Sequence, residues 1–116
     1  MIGDLDQRYP PDRTGHIPVA GGRVWYRLDG SRHLGSPRAP LIVVHGGPGL
    51  SHFYLLTLCA LADERPVVFY DQLDCGKADR PDDPANWTVA RNVDEPGRVW
   101  RAFGFERAFL LGHSNG

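Results

Sequence analysis

The chain has 116 residues, of which 41% are hydrophobic and 23% are charged, and its formal net charge is −1. These values are typical of one globular domain with a modest core, and they argue against disorder and collagen-like repeats. The balance of 13 basic and 14 acidic residues leaves no electrostatic footprint for nucleic acid, so no nucleic-acid partner is expected.

The sequence also limits the compartment and the cofactors. No apolar run approaches the roughly 18 residues that a membrane helix needs. The start, MIGDLDQRYPPDR, is polar and acidic, unlike a signal peptide. Cys59 and Cys75 do not make a disulfide framework, and no His/Cys/Asp/Glu cluster has metal-site spacing. We therefore expect a cytoplasmic protein that has no membrane partner, metal or cofactor.

The N-terminal quarter predicts a leader followed by a hairpin. Residues 1–15 are rich in Pro, Asp and Arg, which indicates an extended leader. Two β-rich runs at 16–19 and 23–28 flank Ala20-Gly21-Gly22, a pattern typical of a β-hairpin. The following stretch, 29–40, carries several glycines and prolines and is predicted to be a loop.

Three compact apolar runs predict buried strands. They are LIVV at 41–44, PVVFY at 66–70 and AFLL at 108–111. Their lack of alternation is expected of strands that are buried on both faces of a parallel sheet.

Two helices are predicted between these strands. Ser51 can cap the first helix, which precedes the second strand. The other begins near Thr88, and Pro96-Gly97 predicts a break or kink in it, because an interior proline costs about 3 kcal/mol. One face of this second helix is expected to carry Val89, Val93, Val99 and Trp100. The alternation of strands and helices indicates a parallel sheet covered by helices.

The third strand leads into GHSNG at 112–116, which matches the G-x-S-x-G pattern of a serine nucleophile on a strand-to-helix turn. A serine hydroxyl is a poor nucleophile unless a base removes its proton and a tight turn exposes its oxygen. Ser114 is therefore the candidate nucleophile. A glycine-rich turn that merely contains serine would match the same pattern.

The first buried strand leads into HGGPG at 45–49, a loop whose glycines leave backbone N–H groups unobstructed. Such a loop can donate hydrogen bonds to an oxyanion that forms on an attacked carbonyl, together with the N–H of Asn115, which follows the nucleophile. A plain turn or a phosphate-binding loop are the alternatives. No Lys-Ser or Lys-Thr pair follows the glycines, as a P-loop requires.

The three segments HGGPG (45–49), YDQLDCGKADRP (70–81) and GHSNG (112–116) together resemble the α/β-hydrolase fold, within it the proline iminopeptidase and amino-acid amidase group. The resemblance implies an α/β fold with a mostly parallel sheet, an N-terminal β-hairpin and a hydrolase domain whose N-terminal part is residues 16–116. It also implies release of an N-terminal residue, typically proline, from a small peptide or an amino-acid amide.

The resemblance carries over to individual residues. It implies that Ser114 is the nucleophile and that the N–H groups of Gly47 and Asn115 form the oxyanion hole, with Gly46 a candidate substrate contact. Asp74 stands where the group commonly has Gly, and Asp tolerates the left-handed conformation moderately well.

Three further side chains near these motifs are expected to be supporting groups. His45 is interpreted as a brace for its own loop through hydrogen bonds. Asp71 and Gln72 end a strand beside the site and are candidates for stabilising the oxyanion loop.

In this fold the acid and the base follow the nucleophile in chain order, so both are expected beyond Gly116. The 116 residues are therefore expected to be inactive alone, with the nucleophile strand at an open edge of the sheet. Two alternatives stay open. The substrate is an ester or lactone, or the chain is a non-catalytic fragment.

Overall fold

The computed structural model describes residues 10–45, 58, 60–86 and 88–112. These residues form one mixed sheet of five strands in the order β1-β2-β4-β3-β5. The strands are Arg13–Val19 (β1), Gly22–Asp29 (β2), Leu41–Val44 (β3), Val67–Asp71 (β4) and Phe109–Gly112 (β5). The helix α1 spans Val89–Phe103, and short 3₁₀ turns lie at Ser31–His33 and Pro84–Asn86.

The predicted N-terminal hairpin is confirmed. β1 and β2 pair antiparallel, with Val19 opposite Gly22. Gly21 takes φ 95° in the turn between them, a conformation that glycine adopts without steric cost. β1 begins at Arg13, so the strand includes the last residues of the predicted leader. The hairpin joins the rest of the sheet through β2, which pairs antiparallel with β4.

The predicted parallel strands are also confirmed. β3 occupies the predicted residues, and β4 and β5 each begin one residue later than predicted. β3 lies between β4 and β5 and pairs parallel with both. Val44 at the end of β3 lies opposite Tyr70 of β4 and Gly112 of β5. The carboxyl ends of the three strands therefore stand level at one edge of the sheet.

The sheet separates two apolar clusters. On one face, Val99 of α1 belongs to a buried apolar cluster with Val24, Leu28 and Ile42. On the other face, Val43 and its strand neighbours pack against Leu58, Leu61 and Ala62. Most of the predicted first helix from Ser51 lies outside the described residues; residues 58 and 60–63 form 3₁₀ turns that pack on this face of the sheet. No described helix is both long and apolar enough to cross a membrane.

The second predicted helix needs two corrections. α1 runs without interruption through Pro96, although proline removes one hydrogen bond of the helix. The packing of its apolar face on the sheet outweighs that local cost, as it does for most protein helices. Val93 is 70% exposed rather than on the core face, whereas Glu95 is buried. Glu95 and Val99 are four residues apart and share the face towards the sheet, and Val93 points away from it.

The prediction that the third strand is buried was wrong. Phe109, Leu110 and Leu111 of β5 are 59%, 54% and 39% exposed. The cause is position: β5 pairs with β3 along one side, and among the described residues no strand pairs along its other side. Among the described strands, β5 therefore forms an open edge of the sheet, as predicted.

Candidate active site

The segments that carry the sequence motifs follow three neighbouring strands. β5 leads towards Ser114, β3 leads into HGGPG, and β4 leads into the loop that begins at Gln72. In open α/β sheets, ligands bind outside the carboxyl ends of the strands, so this edge is the candidate active site. The predicted site residues Gly46, Gly47, Ser114 and Asn115 lie outside the described residues.

Two described residues at this edge hold each other tightly. His45 is completely buried at the end of β3, and Gln72 is half-buried after β4. The backbone N–H of Gln72 donates to His45 Nε2 at 3.1 Å. The side-chain amide of Gln72 donates to the His45 carbonyl oxygen at 2.8 Å. His45 was predicted to brace its own loop through hydrogen bonds; the contacts described here instead join it to Gln72 in the loop after β4, and the rest of its own loop lies outside the described residues.

The same contacts define the state of the His45 ring. Because Nε2 accepts a hydrogen bond from a backbone N–H, it carries no proton. The ring proton therefore sits on Nδ1, 3.5 Å from the Gln72 amide nitrogen. In this tautomer the imidazole is neutral, so His45 acts as a hydrogen-bonded brace and not as a cation.

The loop after β4 is organised by carboxylates. Asp71, completely buried, accepts a hydrogen bond from the Lys77 N–H at 3.0 Å. Asp74 takes φ 65°, which agrees with the left-handed conformation expected where the family commonly has glycine. Its carboxylate accepts from the Asp82 N–H at 2.8 Å, and its own N–H donates to the Asp79 carbonyl at 2.9 Å. The side chain thus stabilises the turn that a glycine would only permit.

An ion pair ties this loop to the N-terminal hairpin. Both carboxylate oxygens of Asp79 accept from the Arg23 guanidinium at 3.0 Å, and one of them also accepts from the Arg23 backbone N–H. The hydrogen bonds from Arg23 hold the pKa of the Asp79 carboxyl below its ordinary value. Sequence reasoning missed this pair, because the partners are 56 residues apart and nothing in the motif that contains Asp79 points to Arg23.

Glu95 of α1 is buried and lies near Tyr70, at the carboxyl end of β4. Tyr70 of β4 is almost fully buried, and burial raises the pKa of its phenol far above the ordinary value, with a further contribution from the nearby Glu95 carboxylate. The phenol therefore stays neutral. Glu95 was missed because its burial depends on which face of α1 meets the sheet.

A cavity of about 650 Å³ lies at the opposite edge of the sheet. Its walls are the loop 33–40 and the segment 103–107, at the amino ends of β3 and β5. Arg107 crosses between the walls and donates to the Pro37 carbonyl at 3.1 Å. Because ligands of open α/β sheets bind at the carboxyl ends of the strands, this cavity is not the candidate active site.

Comparison with known proteins agrees with this architecture. The model of the alpha/beta hydrolase fold family matches residues 39–116, and the chain belongs to that family. Within it, the chain is similar to a proline iminopeptidase of Heyndrickxia coagulans, with 46% identity over 102 residues that cover 88% of this chain and 34% of that enzyme. It spans about a third of the length of the curated relatives that it matches.

Solved structures show the same relationship. VinJ superposes with a TM-score of 0.81 at 37% identity, covering 92% of this chain and 37% of that one. A proline iminopeptidase of Mycobacterium smegmatis superposes with a TM-score of 0.75 at 39% identity, covering 90% of this chain and 36% of that one. The α/β-hydrolase fold and the relationship to proline iminopeptidases, both expected from the three motifs, are confirmed.

Proposed function

We propose that this chain carries the nucleophile and the oxyanion loop of a serine hydrolase that resembles proline iminopeptidase. The supporting observation is the register of the sheet. Val44, one residue before HGGPG, lies directly opposite Gly112, two residues before Ser114. Two neighbouring parallel strands thus deliver the two motifs to the same edge at the same level, as acyl transfer requires of a nucleophile and its oxyanion donors.

The proposed reaction proceeds through an acyl-enzyme. Ser114 Oγ attacks the carbonyl carbon of the N-terminal residue while a base takes the hydroxyl proton. The N–H groups of Gly47 and Asn115 donate to the oxyanion, and Gly46 contacts the substrate. The C–N bond breaks, the amine leaves with the proton, and water then hydrolyses the ester. The acid and the base are assigned to no residue among these 116, because in this fold both follow the nucleophile in chain order.

The proposed substrate is a small peptide or an amino-acid amide with an N-terminal proline. Its support is the naming of the curated relatives, which are proline iminopeptidases at 36–46% identity. The proposed compartment is the cytoplasm, on the basis of a cysteine content that makes no disulfide framework.

The test is active-site labelling of the native protein that contains this sequence. A fluorophosphonate probe should label it, and Ser114→Ala should abolish labelling and lower the turnover of a proline amide by about 10⁶-fold. Ser36→Ala is the matched control, since Ser36 lies in the loop at the opposite edge of the sheet. Labelling that survives in Ser114→Ala would overturn the nucleophile assignment.

A substrate panel tests the leaving group. Proline amide and the matched proline ester should both acylate Ser114, and the turnover rate of the amide should be comparable to that of the ester. Turnover of esters or lactones with none of amides would replace the aminopeptidase with an esterase of the same fold.

A further inference from the structure

We propose that Gln72 is a positioning residue for the oxyanion loop and that it acts through His45. This inference rests on the proposed function, because it concerns the same loop and the same reaction. It assigns to one side-chain amide the stabilising role for which the sequence offered Asp71 and Gln72 together.

The contact that carries the inference is the 2.8 Å hydrogen bond from the Gln72 amide to the carbonyl oxygen of His45. That carbonyl belongs to the peptide bond through which β3 continues into HGGPG. A peptide unit is planar, so a bond that holds the carbonyl oxygen also fixes the direction of the whole unit. The bond from Gln72 therefore fixes the direction of the His45 carbonyl, directly after the end of β3.

A second contact makes the arrangement rigid. The Gln72 backbone N–H donates to the His45 ring at Nε2, so Gln72 donates hydrogen bonds to both the ring and the carbonyl of His45. The ring is completely buried, which leaves it no room to turn away. Gln72 therefore holds His45 at two separate atoms.

Gln72 is itself anchored to the sheet. Its carbonyl accepts from the Cys75 N–H at 2.9 Å, and the preceding residue, Asp71, ends β4 and accepts from the Lys77 N–H. Through these bonds the end of β4 is linked to the His45 carbonyl at the end of β3. This is the kind of support that keeps hydrogen-bond donors in place before the reaction begins.

Loss of this support should affect the transition state more than the bound substrate. An oxyanion exists only in the transition state and the tetrahedral intermediate, so a displaced donor lowers kcat with little change in KM. A displacement of about 1 Å can cost about 100-fold in rate. We expect Gln72→Ala and Gln72→Glu to lower kcat by about 10- to 100-fold, less than the loss of a donor itself.

The experiment compares these variants in the native protein that contains this sequence. Gln72→Glu keeps the size of the side chain but replaces the donating amide with an acceptor. Arg80→Ala is the matched control, because Arg80 is exposed and holds the same loop through the Asp74 and Gly76 carbonyls without contacting His45. Arg80→Ala should leave kcat within about twofold of wild type, as expected for a surface residue outside the site.

The affinity for a transition-state mimic, compared with the affinity for a simple ligand, separates a positioning role from a general loosening of the loop. Proline boronic acid forms a tetrahedral adduct with the serine, whereas free proline binds without one. Both Gln72 variants should lower the affinity for the boronic acid by the same factor by which kcat falls, and the affinity for proline should stay unchanged. An equal loss for both ligands, or an equal loss in Arg80→Ala, would overturn the positioning role.

The two proposals fail in distinguishable ways. A wild-type protein without fluorophosphonate labelling or amide turnover contradicts the proposed function. A wild-type protein that labels at Ser114 and turns over, with Gln72→Glu retaining full kcat and full boronic-acid affinity, contradicts only the role of Gln72. Nitrogen NMR of His45 should show the Nδ1–H tautomer in all folded variants, because the Gln72 backbone N–H remains.

Discussion

β3 and β5 are neighbouring parallel strands of four residues each, with nearly the same apolar pattern and opposite environments. Every residue of β3 is buried, and every residue of β5 is exposed. Ile42 and Leu110 lie directly opposite each other, one with no exposed surface and the other with 54%. The difference is the number of neighbours: β3 has a strand on each side, whereas β5 pairs with β3 alone among the described strands. An uninterrupted apolar run predicts a strand of a parallel sheet, but its burial depends on what flanks it.

The largest expected effect concerns a charge inside the sheet. The side chains of Arg27 and Asp29 in β2 are almost fully buried and form two hydrogen bonds of 2.9 Å. Asp29→Ala leaves the Arg27 guanidinium in the interior without this carboxylate, which should lower the free energy of unfolding by about 3–5 kcal/mol. Urea unfolding of the native protein that contains this sequence, with and without the substitution, measures it.

The matched control is Asp94→Ala on α1. Asp94 pairs with Arg98 at 2.9 Å, one helical turn away, and both side chains are partly exposed. That pair should contribute about 0.3–0.5 kcal/mol. Equal losses in the free energy of unfolding for Asp29→Ala and Asp94→Ala would contradict the burial of the Arg27–Asp29 pair away from water.

The next effect compares the central and the edge strand directly. Ile42→Ala removes atoms from a closed core and should lower the free energy of unfolding by about 2–5 kcal/mol. Leu110→Ala removes half-exposed atoms and should cost about 1 kcal/mol or less. Urea unfolding of both variants measures the contrast, and similar costs at the two positions would show that β5 is covered.

The open edge should also affect association. An exposed apolar edge strand is a template for pairing with another chain, and a lysine on such an edge opposes that pairing. Leu110→Lys should lower the self-association of the 116-residue chain in sedimentation velocity. The control is Val93→Lys, which adds the same charge at an exposed position of α1. The same fall in both variants would mean that net charge, and not the β5 edge, governs association.

The smallest effect concerns the surface ion pair between Arg23 and Asp79. Hydrogen bonds from Arg23 lower the pKa of Asp79 in the folded chain below its ordinary value of 3.8. The pair therefore stabilises the chain above pH 3.8, and this contribution is lost as the pH falls through the lower folded pKa. Unfolding of wild type and Asp79→Asn should differ by a constant amount above about pH 5, and the difference should shrink below pH 3.8. A difference that grows on acidification would contradict the pairing.

Much of the framework could be predicted from local patterns. The Gly-Gly turn identified the hairpin, three apolar runs identified β3, β4 and β5, and Asp74 has the left-handed conformation expected of it. These features depend on residues that are adjacent in the chain, where backbone sterics and side-chain periodicity decide the outcome. The motif order was sufficient to predict the α/β-hydrolase fold and the relationship to proline iminopeptidases.

The errors share a different cause. Val93 was placed on the same helix face as Val99 and Glu95 was not, because the face that a helix turns to the core is decided by the sheet it packs on. Continuity of α1 through Pro96 likewise depends on packing that a local propensity does not include.

The sequence by itself determined the strands, the order of the motifs and the family. Each of these is encoded by residues close together in the chain. Only the tertiary structure decided that β5 is an exposed edge among the described strands. It also decided that Arg23 binds Asp79, 56 residues away, and that Gln72 donates hydrogen bonds to His45, 27 residues away. Contacts of this kind form when the strands order themselves side by side, so no single segment contains the information that specifies them.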